Sequence, residues 1–322
     1  MKKKFINEET IEGYVYSTGE SFNALQERVT GENSKNPGTK YIAGNLDIAV
    51  DEKGLNVITI HYSYVTEKTK SGSVNNTYAT LKKIIDNPSN TWIAGGKENA
   101  YKVLCTSVSI GINDFIGRDG NKVAATVNEG GFCSIVSALG EEKERNKFKA
   151  DILITKVVRI DADPEKNIEK DYVKISGAIF GWGPKILPVS FDVYNEGGMK
   201  YFENLDVTSS NPVFTAVWGR INCITEKLTV TEDSAFGEVD VQIKTRKNRA
   251  YVVTGTSKVP YDFGDENFLT AEDVNKMNQE RQIMLAEVEK KHNERQVAKA
   301  STGVSFDAAA AANNFSTGDW RF

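Results

Sequence analysis

The sequence predicts a mainly β protein: two β-domains, then one long helix and a low-complexity tail. Three observations predict it. Up to Tyr261 the chain is a succession of short apolar runs, several of them strictly alternating, separated by Gly, Asn and Asp turns. That pattern suits barrels or sandwiches rather than βαβ units. The charged run Glu141–Lys147 divides the strands into two sets. Beyond Asp262 come a polar helix and an Ala, Asn, Ser and Gly-rich run with five consecutive alanines, which cannot build a core. The expected organisation is a first domain over 1–145, a second over 146–262, a linker and helix over 263–298, and a flexible tail over 299–322.

In the first set, strands are expected at Glu12–Ser17, Tyr41–Val50, Leu55–Thr66, Lys102–Ile112, Lys122–Val127 and Phe132–Leu139. A short helix, Tyr78–Ile85, interrupts them with Leu81, Ile84 and Ile85 on one face. The second set is Ala150–Ile160, Tyr172–Phe180, Ile186–Tyr194, Val213–Ile221, Leu228–Thr231, Glu238–Arg246 and Ala250–Val259. In Tyr172–Trp182, Val173, Ile175 and Ile179 fall on one face and Lys174, Ser176, Phe180 and Trp182 on the other. Glu238–Arg246 alternates as cleanly and forms a hairpin with Ala250–Val259. Its turn, Lys244 to Arg249, holds four positive charges in six residues. The late helix starts near Thr270, with Asp273 at the capping-box position, and runs to about Gln296. Its narrow apolar stripe (Val274, Met277, Met284, Val288) either packs along the body or pairs with a second copy to make a homo-oligomer.

Composition narrows the class. With 322 residues and 39% hydrophobic content the chain can bury two cores. The net charge of −4 lies wholly from Asp262 onward, where 11 acidic residues meet 7 basic ones, so the body is balanced. This excludes a generally basic nucleic-acid coat but leaves room for a local basic groove. The opening Met1-Lys2-Lys3-Lys4-Phe5-Ile6 turns polar at Asn7-Glu8-Glu9, so no signal peptide is expected. No run approaches the roughly 20 apolar residues a membrane span needs. Cys105, Cys133 and Cys223 form no CxxC pair and read as core residues in a reducing compartment. A soluble cytoplasmic protein is expected.

Signals for catalysis are poor. Only His61 and His292 are present, and no phosphate-binding GxxxxGK[ST] occurs. Asp161 and Asp163 follow a strand in a polar turn and read as solvated loop carboxylates rather than a metal pair. The expectation is no enzyme, no cofactor and no metal.

Signals for binding are better, because single strands are held by aromatic faces that stack on bases and by cations that track phosphates. Phe180 and Trp182 share a face with Lys174, and Lys185 follows. Phe214, Trp218 and Arg220 share one face of Val213–Ile221. Tyr62 and Tyr64 end a strand that leads into a loop carrying Lys68 and Lys70. The basic turn (Lys244, Arg246, Lys247, Arg249) has the composition of a phosphate clamp. Each aromatic also has an ordinary reading as core on the second face of a layered sheet.

Tyr41-Ile42-Ala43-Gly44-Asn45-Leu46-Asp47-Ile48-Ala49 and Val173-Lys174-Ile175-Ser176-Gly177-Ala178-Ile179 are strands with a mid-strand glycine, which permits the coiling of a small barrel. Pro212–Ile221, with Gly219, has the same character. With these strands and a tethered tip at Asp319, Trp320 and Phe322, the chain resembles a bacteriophage single-stranded DNA-binding protein. The resemblance implies two OB-like barrels and stacking of single-stranded DNA on Trp182, Phe180, Trp218 and Tyr64. It implies phosphate neutralisation by Lys68, Lys70, Lys185, Arg220 and the Lys244–Arg249 turn. It also implies a C-terminal tip that recruits replication or recombination proteins. The tip departs from the family's acidic run, having one Asp and an Arg instead. The alternative class is a virion or assembly subunit whose C-terminal arm docks to a neighbouring subunit.

Overall fold

A computed structural model describes residues 4–19, 23–117, 119–166, 168–181, 183, 185–232 and 240–302; for 166, 224–232, 240–248 and 298–302 it describes the backbone alone. Most of the expected strands are present with shifted ends: those expected at Glu12–Ser17 and Ala150–Ile160 begin earlier than their apolar runs, at Asn7 and Asn146, and the strand expected at Phe132–Leu139 stops at Ile135. Five of them, β1 (Asn7–Ser17), β3 (Lys40–Ala49), β4 (Val57–Thr66), β5 (Lys102–Ile116) and β6 (Lys122–Glu129), pair in the cyclic order β1-β3-β4-β6-β5-β1. The β4–β6 step is parallel and the others antiparallel. The short strands β2 (Gln26–Val29) and β7 (Phe132–Ile135) extend this ring beside β3 and β5.

The same connectivity recurs. Strands β8 (Asn146–Ile160), β9 (Tyr172–Phe180), β10 (Ile186–Val193), β11 (Val213–Glu232) and β12 (Asp240–Thr256) pair in the order β8-β9-β10-β12-β11-β8, again with one parallel step, β10–β12. In each ring a helix lies between the third and fourth strands. These helices are α1 (Asn76–Asp86), followed by the single turn α2 (Trp92–Gly95), and α3 (Glu196–Glu203). Five strands closed in the order 1-2-3-5-4 around an apolar core make an OB barrel. Each helix begins at an asparagine cap: Asn75 accepts from Thr77 N–H at 3.1 Å and Asn195 from Gly198 N–H at 2.6 Å.

The mid-strand glycines have the expected role. A Cβ on Gly44, whose φ is +130°, would lie 2.3 Å from the Ala24 carbonyl oxygen. One on Gly177 would lie 2.0 Å from that of Leu153. Neighbouring backbone occupies the space where a side chain would begin, so β3 and β9 coil tightly onto their neighbours.

The rings meet where β1 runs antiparallel to β8, from Asn7↔Ala150 to Ile11↔Asn146. Each is the first strand of its ring, and both bury the same side of the ribbon. Equivalent strands paired in this way are related by an approximate two-fold axis near Glu9 and Phe148. The repeat reaches single hydrogen bonds. Asn7 Nδ2 donates to the Ile110 carbonyl at 2.9 Å, and Asn146 Nδ2 donates to the Ile221 carbonyl at 2.7 Å. Tyr251 of β12 reaches across to both Glu9 and Asn128 of the first ring.

A second apolar layer covers part of the outer surface. Leu153, Phe180, Ile186 and Phe214 are buried beneath Phe5, Tyr261, Phe263, Phe268 and Leu269. This strap leads into α4 (Ala271–Thr302), where Thr270 and Asp273 exchange hydrogen bonds in the expected capping box. The helix lies along the body: Arg281 donates to Asp114 of β5 at 2.7 Å and Lys122 pairs with Glu289 at 2.9 Å.

Two sequence expectations need correcting. Residues 244–249 are not a turn, because β12 runs unbroken from Asp240 to Thr256 opposite β11, with Cys223↔Arg249 and Leu228↔Lys244 in register. The expected separate strands at Leu228–Thr231 and Glu238–Arg246 are parts of this one ribbon. The three cysteines are buried, as expected, and Cys105 and Cys133 are direct cross-strand partners with the Tyr62 hydroxyl 3.8 Å from the Cys105 sulfur. Among the described residues no helix is long and apolar enough to cross a membrane.

Candidate nucleic-acid interface

OB barrels take oligonucleotides on the outer face of their second and third strands. Here those strands are β3 and β4 in the first ring, and β9 and β10 in the second. The same motif stands on both. Tyr41 at the start of β3 and Tyr64 near the end of β4 bring their ring centroids to 4.7 Å, with Tyr64 47% exposed. Tyr172 at the start of β9 and Tyr194 just past β10 stand 5.1 Å apart, with Tyr194 42% exposed. Register sets both pairs: Tyr64 stands diagonally to Tyr41, two residues from its partner Thr66, and Tyr172 and Tyr194 continue the ladder of Val173↔Val193.

Cations flank both pairs. In the first ring the exposed Arg28 of β2 is the register partner of Tyr41. Lys68 and Lys70 lie exposed in the hairpin after β4, which is closed by a Lys68↔Val74 bridge. Asn45 and His61 join side chains at 2.9 Å further along the face. In the second ring Lys174 sits 5.8 Å from the Tyr172 ring centre and opposite Asp192, and the next rung joins the Ser176 and Ser190 hydroxyls at 2.8 Å. Burial pushes the Asp192 carboxyl up to about 6, partly offset by Lys174. Burial, then Asp192 and Tyr172, push Tyr194 up to about 12, so its hydroxyl stays a donor at neutral pH. Each face therefore offers a pair of flat rings, hydroxyl donors and nearby cations, which is the chemistry for bases and phosphates.

The other sequence candidates divide three ways. Tyr62 and Phe180 are corrections, since neither presents a ring to a ligand. Tyr62 points into the first core, and Phe180 stacks on Phe5 at 4.2 Å beneath the strap. Phe214 is buried with it. Trp218 and Arg220 are exposed, but on the far side of the second ring from β9 and β10. Arg249 points inward and donates to the Thr126 carbonyl at 2.5 Å, so it is a structural cation between the rings. Lys185 is exposed in the β9–β10 loop. Trp182 and the tip residues Asp319, Trp320 and Phe322 lie outside the described residues, as do the side chains of Lys244, Arg246 and Lys247. Asp161, once a candidate metal ligand, accepts from Arg159 at 3.1 Å, and Asp163 accepts from Glu165 N–H.

Sequence reasoning passed over Tyr41, Tyr172, Tyr194 and Arg28. A signal was there: the paired tyrosines are separated by 23 residues in the first ring and 22 in the second. It gains meaning only when both strand pairs are known to be equivalent.

A model of the YorF family matches residues 19–291. This chain belongs to the YorF family. No curated protein matches this YorF-family chain. Among solved structures it is similar, with 12% identity and a TM-score of 0.43, to a deletion mutant of the single-stranded DNA-binding protein from Thermus aquaticus. The match covers 82% of this chain and 98% of that one.

Proposed function

We propose that this YorF-family protein binds single-stranded DNA, stacking bases on its two tyrosine pairs and placing phosphates against neighbouring cations. One observation carries the reading: an exposed tyrosine pair recurs at the equivalent corner of both OB rings, on the faces that such barrels use for oligonucleotides. Core packing accounts for neither Tyr64 nor Tyr194, which remain open to solvent, and the recurrence of the pair argues for use. In this reading Arg28, Lys68 and Lys70 serve the first ring, and Lys174 and Lys185 the second. Lys244, Arg246 and Lys247 add charge along the β11–β12 ribbon. The protein acts in phage replication or recombination as a coat for single strands rather than as an enzyme. Its C-terminal tip, Asp319, Trp320 and Phe322, recruits a protein partner.

The test is fluorescence anisotropy of labelled oligo-dT against a duplex of equal length at two salt concentrations. Tight, salt-weakened binding to the single strand is expected. Stacking contributes about 1–3 kcal/mol per base, so Tyr41→Ala with Tyr64→Ala should weaken binding about tenfold or more, and Tyr172→Ala with Tyr194→Ala similarly. Equal affinity for duplex, or unchanged affinity in both double variants, would refute the reading.

A further inference from the structure

The outer surface of the β8–β11 pair carries a cluster that the tyrosine faces do not use. Trp218 and Arg220 stand on β11, and their register partners on β8 are Lys149 and Lys147. The four side chains form a two-by-two grid, all exposed on one face. The ring order β8-β9-β10-β12-β11 sets this pair away from the β9–β10 face. The strap that buries Phe214 on the same side of β11 leaves Trp218 40% exposed.

The indole has a prepared seat. A Cβ on Gly255, its partner on β12, would lie 2.4 Å from the indole Nε1 and 2.6 Å from Cε2. Only a bare α-carbon at 255 lets the ring lie against the sheet, with one face seated and the other open. Lys147 is occupied by Glu144, and Glu8 lies opposite Lys149 on β1. Among the described residues neither Lys149 nor Arg220 is held in an ion pair with a neighbour. One open indole face between two such cations fits a base flanked by its phosphates.

We infer that this β8–β11 face is a second contact for the single strand, separate from the tyrosine faces. The grid borders the joint between the rings, because Lys149 lies opposite Glu8 and Lys147 opposite Thr10 of β1. The inference rests on the proposed single-strand binding and extends it: one protomer engages more than one segment of the strand. A second copy of this chain is the competing occupant. A self-complementary contact there would bring Lys149 and Arg220 against the same cations of the other copy, which disfavours it.

The test uses the full chain, oligo-dT of graded length, and the surface double variant Lys149→Ala with Arg220→Ala. For a single strand, each phosphate no longer neutralised by the protein lowers the slope of log K against log salt by about 0.7. Long oligonucleotides should therefore show a slope shallower by roughly 1.4 and an affinity roughly tenfold weaker at low salt. The shortest oligonucleotide that still binds should be unaffected. Trp218→Phe should remove part of the tryptophan quenching seen with long strands and none of that seen with short ones. Unchanged slope and affinity at every length would overturn the inference while leaving the tyrosine faces intact. So would sedimentation showing that the double variant only splits a dimer. If wild-type protein bound no oligonucleotide at all, the proposed function would fail first and this inference with it.

Discussion

Glu9 sits at the joint between the rings, 1% exposed, and its replacement by Gln should change how stability depends on pH. Burial pushes its carboxyl up from 4.5 to about 8, against the opposing pull of the Tyr251 hydroxyl and the Arg249 guanidinium. Local geometry agrees. The Tyr251 hydroxyl lies 3.0 Å from Glu9 Oε1 and 2.8 Å from Asn128 Oδ1, and Asn128 Nδ2 donates to the Thr59 carbonyl at 2.7 Å, which orients the amide. One tyrosine proton serves one acceptor, so both contacts are satisfied when Glu9 carries a proton and donates it to Tyr251. Among the described residues the other oxygen, Oε2, has no hydrogen-bond partner, which makes an ionised Glu9 costlier still.

The sign follows from proton counting. The folded-state value is raised, so from 4.5 to about 8 the unfolded chain has released a proton that the folded chain retains. Stability therefore falls as pH rises through that window and levels off above it. At 1.36 kcal/mol per unit, the loss is on the order of 3 kcal/mol by neutral pH and about 5 kcal/mol at the top of the window. Glu9→Gln removes the titration while its amide N–H keeps a donor for the Tyr251 oxygen. Urea melts between pH 5 and pH 8.5 should show the difference in stability between variant and wild type growing with pH, in the variant's favour. A difference that stays constant across the range, or that shrinks as pH rises, would refute the reasoning.

Other outcomes follow from named contacts. Asp192 on the β9–β10 face titrates near 6, so falling pH should neutralise it and tighten oligo-dT binding by the second ring, and Asp192→Asn should show the tighter binding at neutral pH with no such dependence. Arg281→Ala strands Asp114, whose side chain is 11% exposed. The cost should be on the order of 2 kcal/mol, below that of a fully buried pair, and should appear as faster hydrogen exchange across 271–302 while the rings keep their protection. Gly177→Ala would force backbone apart at β8–β9 and should destabilise by about 1–3 kcal/mol or more in denaturant melts, whereas Gly183→Ala, where a Cβ meets nothing within 4 Å, should cost less despite its φ of +77°.

Much of the fold was legible in local patterns. Val173, Ile175 and Ile179 alternate and are fully buried in the second ring, and Thr270 with Asp273 starts the helix where the capping box places it. The site was less legible. Phe180 lies on the non-core face of its strand, as alternation predicts, yet Phe5 and the segment around Tyr261 cover it. Nothing local to β9 announces residues some 80 and 175 positions away. The basic cluster at 244–249 failed for a related reason. A run of polar residues resembles a turn, but here the backbone continues as β12 through it, and Arg249 at its end points inward to the Thr126 carbonyl.

What the sequence by itself determined is the class: strands before a polar helix, two sets of them, with glycines where tight coiling needs bare backbone. These are properties of neighbouring residues, and a period of two along a strand is visible without any partner. Only the tertiary structure decided which strands close on which, and hence that Tyr41 meets Tyr64 and Tyr172 meets Tyr194. It also decided that Tyr62 and Phe180 are buried while Trp218 is open, and that Glu9 lies at a joint shielded from solvent. Exposure, pairing and ionisation depend on what the rest of the chain brings to a residue, and that is set by register and packing across the whole molecule.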